Sequence, residues 1–199
     1  MGKLKMRKIR IFEHISLDGV IEHDDGYAHG AWTAPYRSPA GLAAVIEAHG
    51  TRFDLLLGRR TYDIWAGYWP KAGNSPLANS LNAATKYVAT HRPASLGWGP
   101  AKDLGVDLIE GVRSVKATSG PDLVLWGSST LTSVLLGQGL VDEVVLIVYP
   151  VLLGRGKRFF SDRADPRELA LVSTKATSTG VLMNTYRQIG TLRTDPSPA

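Results

Sequence analysis

Two short apolar runs, Leu55-Leu56-Leu57 and Leu123-Val124-Leu125-Trp126, each stop at a glycine that opens a polar turn and then a segment with helical character. A strand that is apolar at consecutive positions has to be covered on both faces, and a parallel sheet with helices on either side does this. The turns read Gly58-Arg59-Arg60-Thr61 and Gly127-Ser128-Ser129-Thr130. In an open α/β sheet, ligands sit beyond the carboxyl ends of the parallel strands. A helix start there offers unpaired backbone N–H groups and the positive end of its dipole. Arg59 and Arg60 add guanidiniums that match phosphate oxygens. Thr61, Ser128, Ser129 and Thr130 add hydroxyls, and Gly127 lets the backbone approach a pyrophosphate closely. Either turn alone is equally well an ordinary strand-to-helix connection with a polar cap. Two of them side by side suit the two ends of a dinucleotide.

The rest of the chain fits the same pattern. Residues 8–16, rich in Ile and Phe, predict a first strand that Leu17-Asp18-Gly19 ends. Residues 23–39 form a long polar loop of the kind that often serves as a lid or binding loop. Ser38 and Pro39 predict a helix start, with Leu42, Val45 and Ile46 inward and Gly50 as its stop. Strands are expected at 53–57, 86–90, 106–109, 122–126 and 143–149. Helices are expected from Thr61 onward, over 111–118 and after Thr130, the last with Leu131, Val134 and Leu135 on one face; 67–76 reads as loop. Residues 169–177 and 181–189 flank Ser178-Thr179-Gly180 as an antiparallel hairpin. The expectation is one three-layer α/β domain over 8–190: a central, mostly parallel sheet, helices on both faces and a C-terminal antiparallel hairpin. Residues 1–7 and 191–199 read as a flexible extension and tail.

Composition excludes several classes. With no cysteine there is no disulfide, thiolate metal site or cysteine nucleophile. The five histidines lack metal-ligand spacing and read as surface or structural groups. No G-x-S-x-G elbow supports a hydrolase. The net charge of +5 is dispersed, without the basic-aromatic interleaving of a single-strand platform. No apolar run reaches membrane-span length, and residues 9–15 are broken by Arg10, Glu13 and His14. A cytoplasmic protein is expected, with a small-molecule substrate and neither nucleic acid nor membrane as partner.

The order of these pieces resembles the dihydrofolate reductase superfamily. It is most similar to the branch containing the reductase domain of riboflavin biosynthesis and its stand-alone relatives. The matching segments are Ser16-Leu17-Asp18-Gly19, Leu56 through Tyr62, Leu123 through Leu131, and Leu140-Val141-Asp142-Glu143 leading to Val151-Leu152-Leu153-Gly154-Arg155-Gly156. The resemblance spans residues 8–189 and implies NADPH as hydride donor. By motif position, Gly58, Arg59, Arg60 and Thr61 would hold the pyrophosphate, with Arg59 near the 2′-phosphate. Thr90, His91 and Arg92 would face the adenosine ribose phosphate, and Gly127, Ser128, Ser129, Thr130 and Leu131 would complete the pyrophosphate site. Relatives of this kind often pair as homodimers; the 144–148 strand and the C-terminal hairpin are the available surfaces, though core packing explains them equally well.

Two departures bear on the substrate. Folate-reducing members carry an acid near the start of the first helix, and residues 35–42 contain none. Riboflavin-pathway reductases commonly carry an acid and a glycine pair where this chain has Trp126, Gly127 and Ser128. Asp18 is the acid left on a matching motif, able to orient a substrate or relay a proton, or simply to make a turn. Trp32, Tyr36 and Tyr149 are the candidates for stacking on a planar heterocycle, with ordinary packing as the alternative. The leading expectation is an NADPH-dependent reductase most like 5-amino-6-(5-phosphoribosylamino)uracil reductase. The rivals are dihydrofolate reduction and a non-catalytic dinucleotide-binding module.

Overall fold

The first strand, β1 (Ile9–Ser16), leads to a short β2 (Val20–Glu22) and then, past a 3-10 turn at Ala34–Tyr36, to α1 (Pro39–His49). The order continues with β3 (Phe53–Gly58), α2 (Arg59–Tyr68), α3 (Pro76–Ala83), β4 (Lys86–Ala89), β5 (Ala101–Asp103) and α4 (Leu108–Ala117). It closes with β6 (Asp122–Trp126), α5 (Ser129–Gly137), β7 (Glu143–Tyr149), β8 (Lys157–Arg158), β9 (Arg167–Ala176) and β10 (Leu182–Thr191). The structure is a computed structural model that describes residues 6–22, 32–160 and 166–193. The sheet has the order β5-β4-β3-β6-β1-β7-β10-β9, and a separate two-stranded ribbon joins β2 to β8. The six strands from β5 to β7 pair in parallel, while β10 and β9 are antiparallel.

Each face of the sheet carries its own core. Phe12, Leu55, Leu57, Val124, Trp126 and Tyr149 face α1, α2 and α3. Ile11, Leu56, Leu125, Leu131 and Leu135 pack with Val112 on the α4–α5 side. Leu55, Leu56 and Leu57 are all fully buried, which is why β3 reads as apolar at every position. Ser38 caps α1 by accepting from the Gly41 N–H at 3.1 Å, and Gly50 leaves it at φ 79°. Among the described residues, no helix is long and apolar enough to cross a membrane.

Several local expectations need correction. The strand expected at 106–109 is not one. Val106 is exposed, and the Asp107 carboxylate accepts from the Glu110 N–H at 3.0 Å and starts α4 there. The strand that pairs with β4 is β5, three residues at the polar edge of the sheet with no apolar signature. Residues 67–76 are not all loop either: α2 runs to Tyr68, and Ser75 caps the unanticipated α3 through the Ala78 N–H at 3.1 Å. Leu42 and Val134 face outward. Ala44, Val45 and Ala48 line the inner side of α1, and Leu131, Thr132 and Leu135 that of α5. Arg7, assigned above to a flexible extension, is only 2% exposed; its guanidinium is paired with Asp54 beneath the sheet and donates to the Pro121 carbonyl. The other residues expected to be mobile, 1–5 and 194–199, lie outside the described residues, as do residues 23–31 of the long loop.

Candidate functional site

Because β3 and β6 are parallel neighbours, in register from Phe53↔Asp122 to Leu56↔Leu125, their carboxyl ends and the helix starts beyond them lie side by side. Three hydrogen bonds tie the two turns into one wall. The Gly58 N–H donates to Ser128 Oγ at 2.8 Å, Ser128 Oγ donates to Thr61 Oγ1 at 3.0 Å, and Thr61 Oγ1 donates to the Gly127 carbonyl at 3.2 Å. Gly127 has φ 55°, in the left-handed region that favours glycine. A Cβ at Gly58 would come within 3.3 Å of Ser128 Oγ. Thr61 and Ser128, read from sequence as ligand hydroxyls, are thus engaged with the other turn. The first-turn amides of α2 and α5, which have no intrahelical acceptor, point the same way.

This wall borders a cleft of about 610 Å³, lined by Gly58, Arg59, Arg60, Thr61 and by Gly127, Ser128, Ser129, Thr130, Leu131. The third predicted wall reaches it through Arg59. The Arg59 guanidinium contacts Asp63 at 2.9 Å, Ser95 Oγ at 2.8 Å, the Arg92 carbonyl at 3.0 Å and Thr90 Oγ1 at 3.3 Å. Asp63, its carboxyl held below the usual range by the hydrogen bond from Arg59, also faces the Arg92 guanidinium at 3.4 Å. Arg59 therefore staples the start of α2 to the loop after β4, and His91 and Arg92 stand exposed beside it.

Four further lining residues carry no mark in the sequence: Glu13, Ile21, Glu22 and Lys157. Glu22 spans the cleft, accepting from Arg60 Nη1 at 2.6 Å and from Ser129 Oγ at 2.9 Å. A carboxylate therefore sits between the two helix starts, where an anionic ligand would sit. Lys157 Nζ donates to Thr130 Oγ1 at 3.1 Å. Glu22 and Lys157 arrive on the β2–β8 ribbon, a pairing of segments more than a hundred residues apart that no local pattern announces. Glu22→Gln, which removes the resident negative charge and keeps the shape, is expected to tighten binding of inorganic pyrophosphate about three- to tenfold. Calorimetric titration checks it, and unchanged affinity would show that Glu22 does not compete for the anion position.

Glu13 is 4% exposed, and its Oε2 has no hydrogen-bond partner. Burial pushes its carboxyl up to about 8, opposed by the His14 backbone N–H and reinforced by the charge on Glu22. It lies at a fork in the sheet: β1 pairs with β6 only as far as Phe12↔Trp126 but with β7 as far as Ser16↔Tyr149.

The other predicted residues lie elsewhere. Asp18 does not line the cleft. Its carboxylate accepts from Ser16 Oγ at 2.5 Å and from the N–H groups of Leu153 at 3.1 Å and Gly154 at 2.7 Å. These bonds, that from Ser16 foremost, hold it down to about 2, so at neutral pH it is an ionised acceptor with no proton to relay. Its visible work is to tie the end of β1 to residues 151–154. Trp32, Tyr36 and Tyr149 do meet, on the α1 side of the sheet. The Trp32 ring stands edge-on to Tyr149 at 5.1 Å and the Tyr36 ring at 5.8 Å. Tyr149 Oη and His14 Nδ1 are 2.9 Å apart, and Trp126 Nε1 donates to His49 Nε2 at 2.7 Å. Burial lowers both imidazoles to about 4, so both are neutral at pH 7.

Residues 7–183 match the RibD C-terminal domain family. The chain belongs to that family. Its similarity to the "Uncharacterized protein YyaP" of Bacillus subtilis is 29% identity over 193 residues, covering 95% of this chain and 99% of the relative. Among solved structures, a putative riboflavin biosynthesis protein from Shewanella superposes with a TM-score of 0.69 at 18% identity, covering 92% of this chain and 99% of that one. The diaminohydroxyphosphoribosylaminopyrimidine deaminase/5-amino-6-(5-phosphoribosylamino)uracil reductase of Thermotoga maritima gives 0.67 at 15% identity, covering 93% of this chain and 57% of that one. The RibD C-terminal fold is thus shared along nearly the whole chain. Family and neighbours together support a reductase-like enzyme of the riboflavin-biosynthesis type.

Proposed function

We propose that the protein is an NADPH-dependent reductase acting on a small planar or ribosyl heterocycle, with 5-amino-6-(5-phosphoribosylamino)uracil-type reduction as the leading specific reaction. The observation that carries this reading is the joined pair of helix starts on one cleft, with Arg59 linking them to the loop after β4. The residues fit a dinucleotide phosphate: backbone donors at two adjoining helix starts, glycines where a side chain would crowd the turns, and guanidiniums at both ends of the wall. When bound, the dihydronicotinamide supplies a hydride. The chain itself binds the phosphates, orients the cofactor along the strand ends and keeps water from the core side of the cleft. The cluster of Trp32, Tyr36 and Tyr149 on the other face of β1 offers flat apolar surfaces to a heterocycle.

Folate reduction is the weaker reading. The first turn of α1 has no acid, and Glu47, further along the helix, is paired with Lys175 at 2.7 Å with its side chain 70% exposed. A non-catalytic dinucleotide-binding module draws support from Asp18, whose carboxylate is fully engaged. Assembly as a homodimer belongs to the proposal too: Leu171, Val172, Leu182 and Ile189 are exposed on the C-terminal hairpin.

Titrating NADPH and NADH against the protein, followed by nicotinamide fluorescence, tests the reading directly; binding of neither sinks it. Arg59→Ala should weaken NADPH by about a hundredfold and NADH by about tenfold or less, a charged contact to the 2′-phosphate being the difference. Equal losses would leave Arg59 with only its stapling role. Oxidation of bound NADPH by a pyrimidine substrate separates the enzyme from the module.

A further inference from the structure

We propose that Glu13 holds the carboxamide of the cofactor's nicotinamide, as a neutral carboxylic acid making a paired, two-hydrogen-bond contact at the fork between β1 and β6. This rests on the dinucleotide reading above and assigns its far end. The sheet order β4-β3-β6-β1 fixes the direction. With the adenosine end over Thr90, His91 and Arg92 beyond β4, and the pyrophosphate over the joined turns beyond β3 and β6, the second base falls over β1. Three strand spacings separate β4 from β1, roughly 14 Å, a span that a dinucleotide bridges. At that place β6 has left β1, and the first residue past the fork is Glu13.

Side-chain alternation along β1 puts Glu13 on the same face as Ile11 and Ile15, facing the cleft, whereas Phe12 and His14 turn toward Trp126 and the aromatic cluster. Glu13 is thus on the cofactor's side of the strand, away from the surface offered to a substrate. One of its oxygens takes the His14 backbone N–H, while Oε2 is buried without a partner. A neutral carboxyl in this position has an O–H to give on Oε2 and a remaining lone pair to receive on Oε1. A primary carboxamide offers the complementary carbonyl and N–H. The charged groups that face Glu13 across the cleft are Glu22 from β2, Arg59 and Arg60 from α2, and Lys157 from β8. Of these Glu22 reinforces the neutral form.

The test is calorimetric titration of the full chain with three ligands: NADPH, its 3-acetylpyridine analogue, whose methyl ketone has no amide N–H, and 2′-phospho-ADP-ribose, which lacks the ring. The wild type should bind the analogue about tenfold more weakly than NADPH, the cost of one lost buried hydrogen bond. Its NADPH affinity should fall about tenfold per pH unit above pH 8, as the carboxyl ionises. Glu13→Leu should lose at least tenfold for NADPH and nothing for the ringless fragment. Glu13→Gln, which keeps a donor and an acceptor, should stay within a few fold of wild type and lose the decline above pH 8. If the fragment binds but Glu13→Leu or the analogue binds as NADPH does to wild type, the role of Glu13 is overturned and the dinucleotide site stands. If the fragment does not bind at all, the site reading falls, and this inference with it.

Discussion

Asp54→Ala should cost about 3–5 kcal/mol of unfolding free energy, the largest single-site loss expected in the molecule. Arg7 is 2% exposed, and its guanidinium has few partners: the Asp54 carboxylate, the Pro121 carbonyl at 2.5 Å and the face of Tyr87 at 5.3 Å. Asp54 Oδ1 also accepts from the Thr85 N–H at 3.1 Å, at the point where the chain turns into β4. Removing the carboxylate leaves a buried cation uncompensated and an amide without its acceptor, two penalties that fall on the same side. The double replacement Arg7→Met with Asp54→Leu should recover most of the loss, because it removes both charges and refills the space. Urea unfolding of the single and double variants measures this. A single-variant loss under about 1 kcal/mol would mean that Arg7 swings out to water, which its depth beneath the sheet argues against.

Glu13→Gln should do the opposite and stabilise the fold, by an amount that depends on pH. The folded carboxyl titrates at about 8 against 4.5 for an ordinary glutamate. Between those values the unfolded chain has released a proton that the folded protein still holds, so each step up in pH favours unfolding. The difference between variant and wild type should therefore be near zero at pH 4.5, grow by roughly 1.4 kcal/mol per unit to about 3 kcal/mol at pH 7, and level off above about pH 8. His49, 5% exposed and lowered from 6.5 to about 4, tilts the acid side the other way. Its contribution is complete above pH 6.5 and lost as the pH falls toward 4, and half-buried His14 adds to it. Wild type is expected to be most stable near pH 6.5. Thermal melts of both proteins from pH 4 to 9 test this, and parallel curves would mean that Glu13 is ionised and solvated in the folded protein.

The parts of the fold that are legible in the sequence are those where burial leaves a local pattern. β3 and β6 are covered on both faces and so are apolar without alternation, and the glycines that end them are visible for the same reason. The Ser38 and Pro39 start of α1 and the Ser178-Thr179-Gly180 hairpin are equally local. What is hidden depends on partners distant in the chain. Val106 looks like strand until Asp107 is seen to cap α4, and β5 is too short and polar to announce itself. At the site, the two turns are plain because glycine, arginine and hydroxyl residues cluster within four positions. Glu13 is not, since one acid in an Ile-rich strand looks like a solvent-facing position. Only the fork between β1 and β6, together with the β2–β8 ribbon above it, shows that Glu13 is enclosed. Glu22 is hidden in the same way, and Asp18 looks catalytic only while its backbone partners at 153 and 154 are out of view.

The hydroxyl chain from Gly58 through Ser128 and Thr61 to Gly127 divides the labour around the cleft. One bank is cross-braced by side chains that have no other task, and it stands on the two central strands of the sheet. The opposite bank is a ribbon of a few residues, fastened across the gap by Arg60, Ser129 and Thr130. A ligand arriving here meets a fixed template on one side and a yielding one on the other. The phosphate geometry is therefore set before arrival, while the rate of entry is governed by how fast the ribbon lets go.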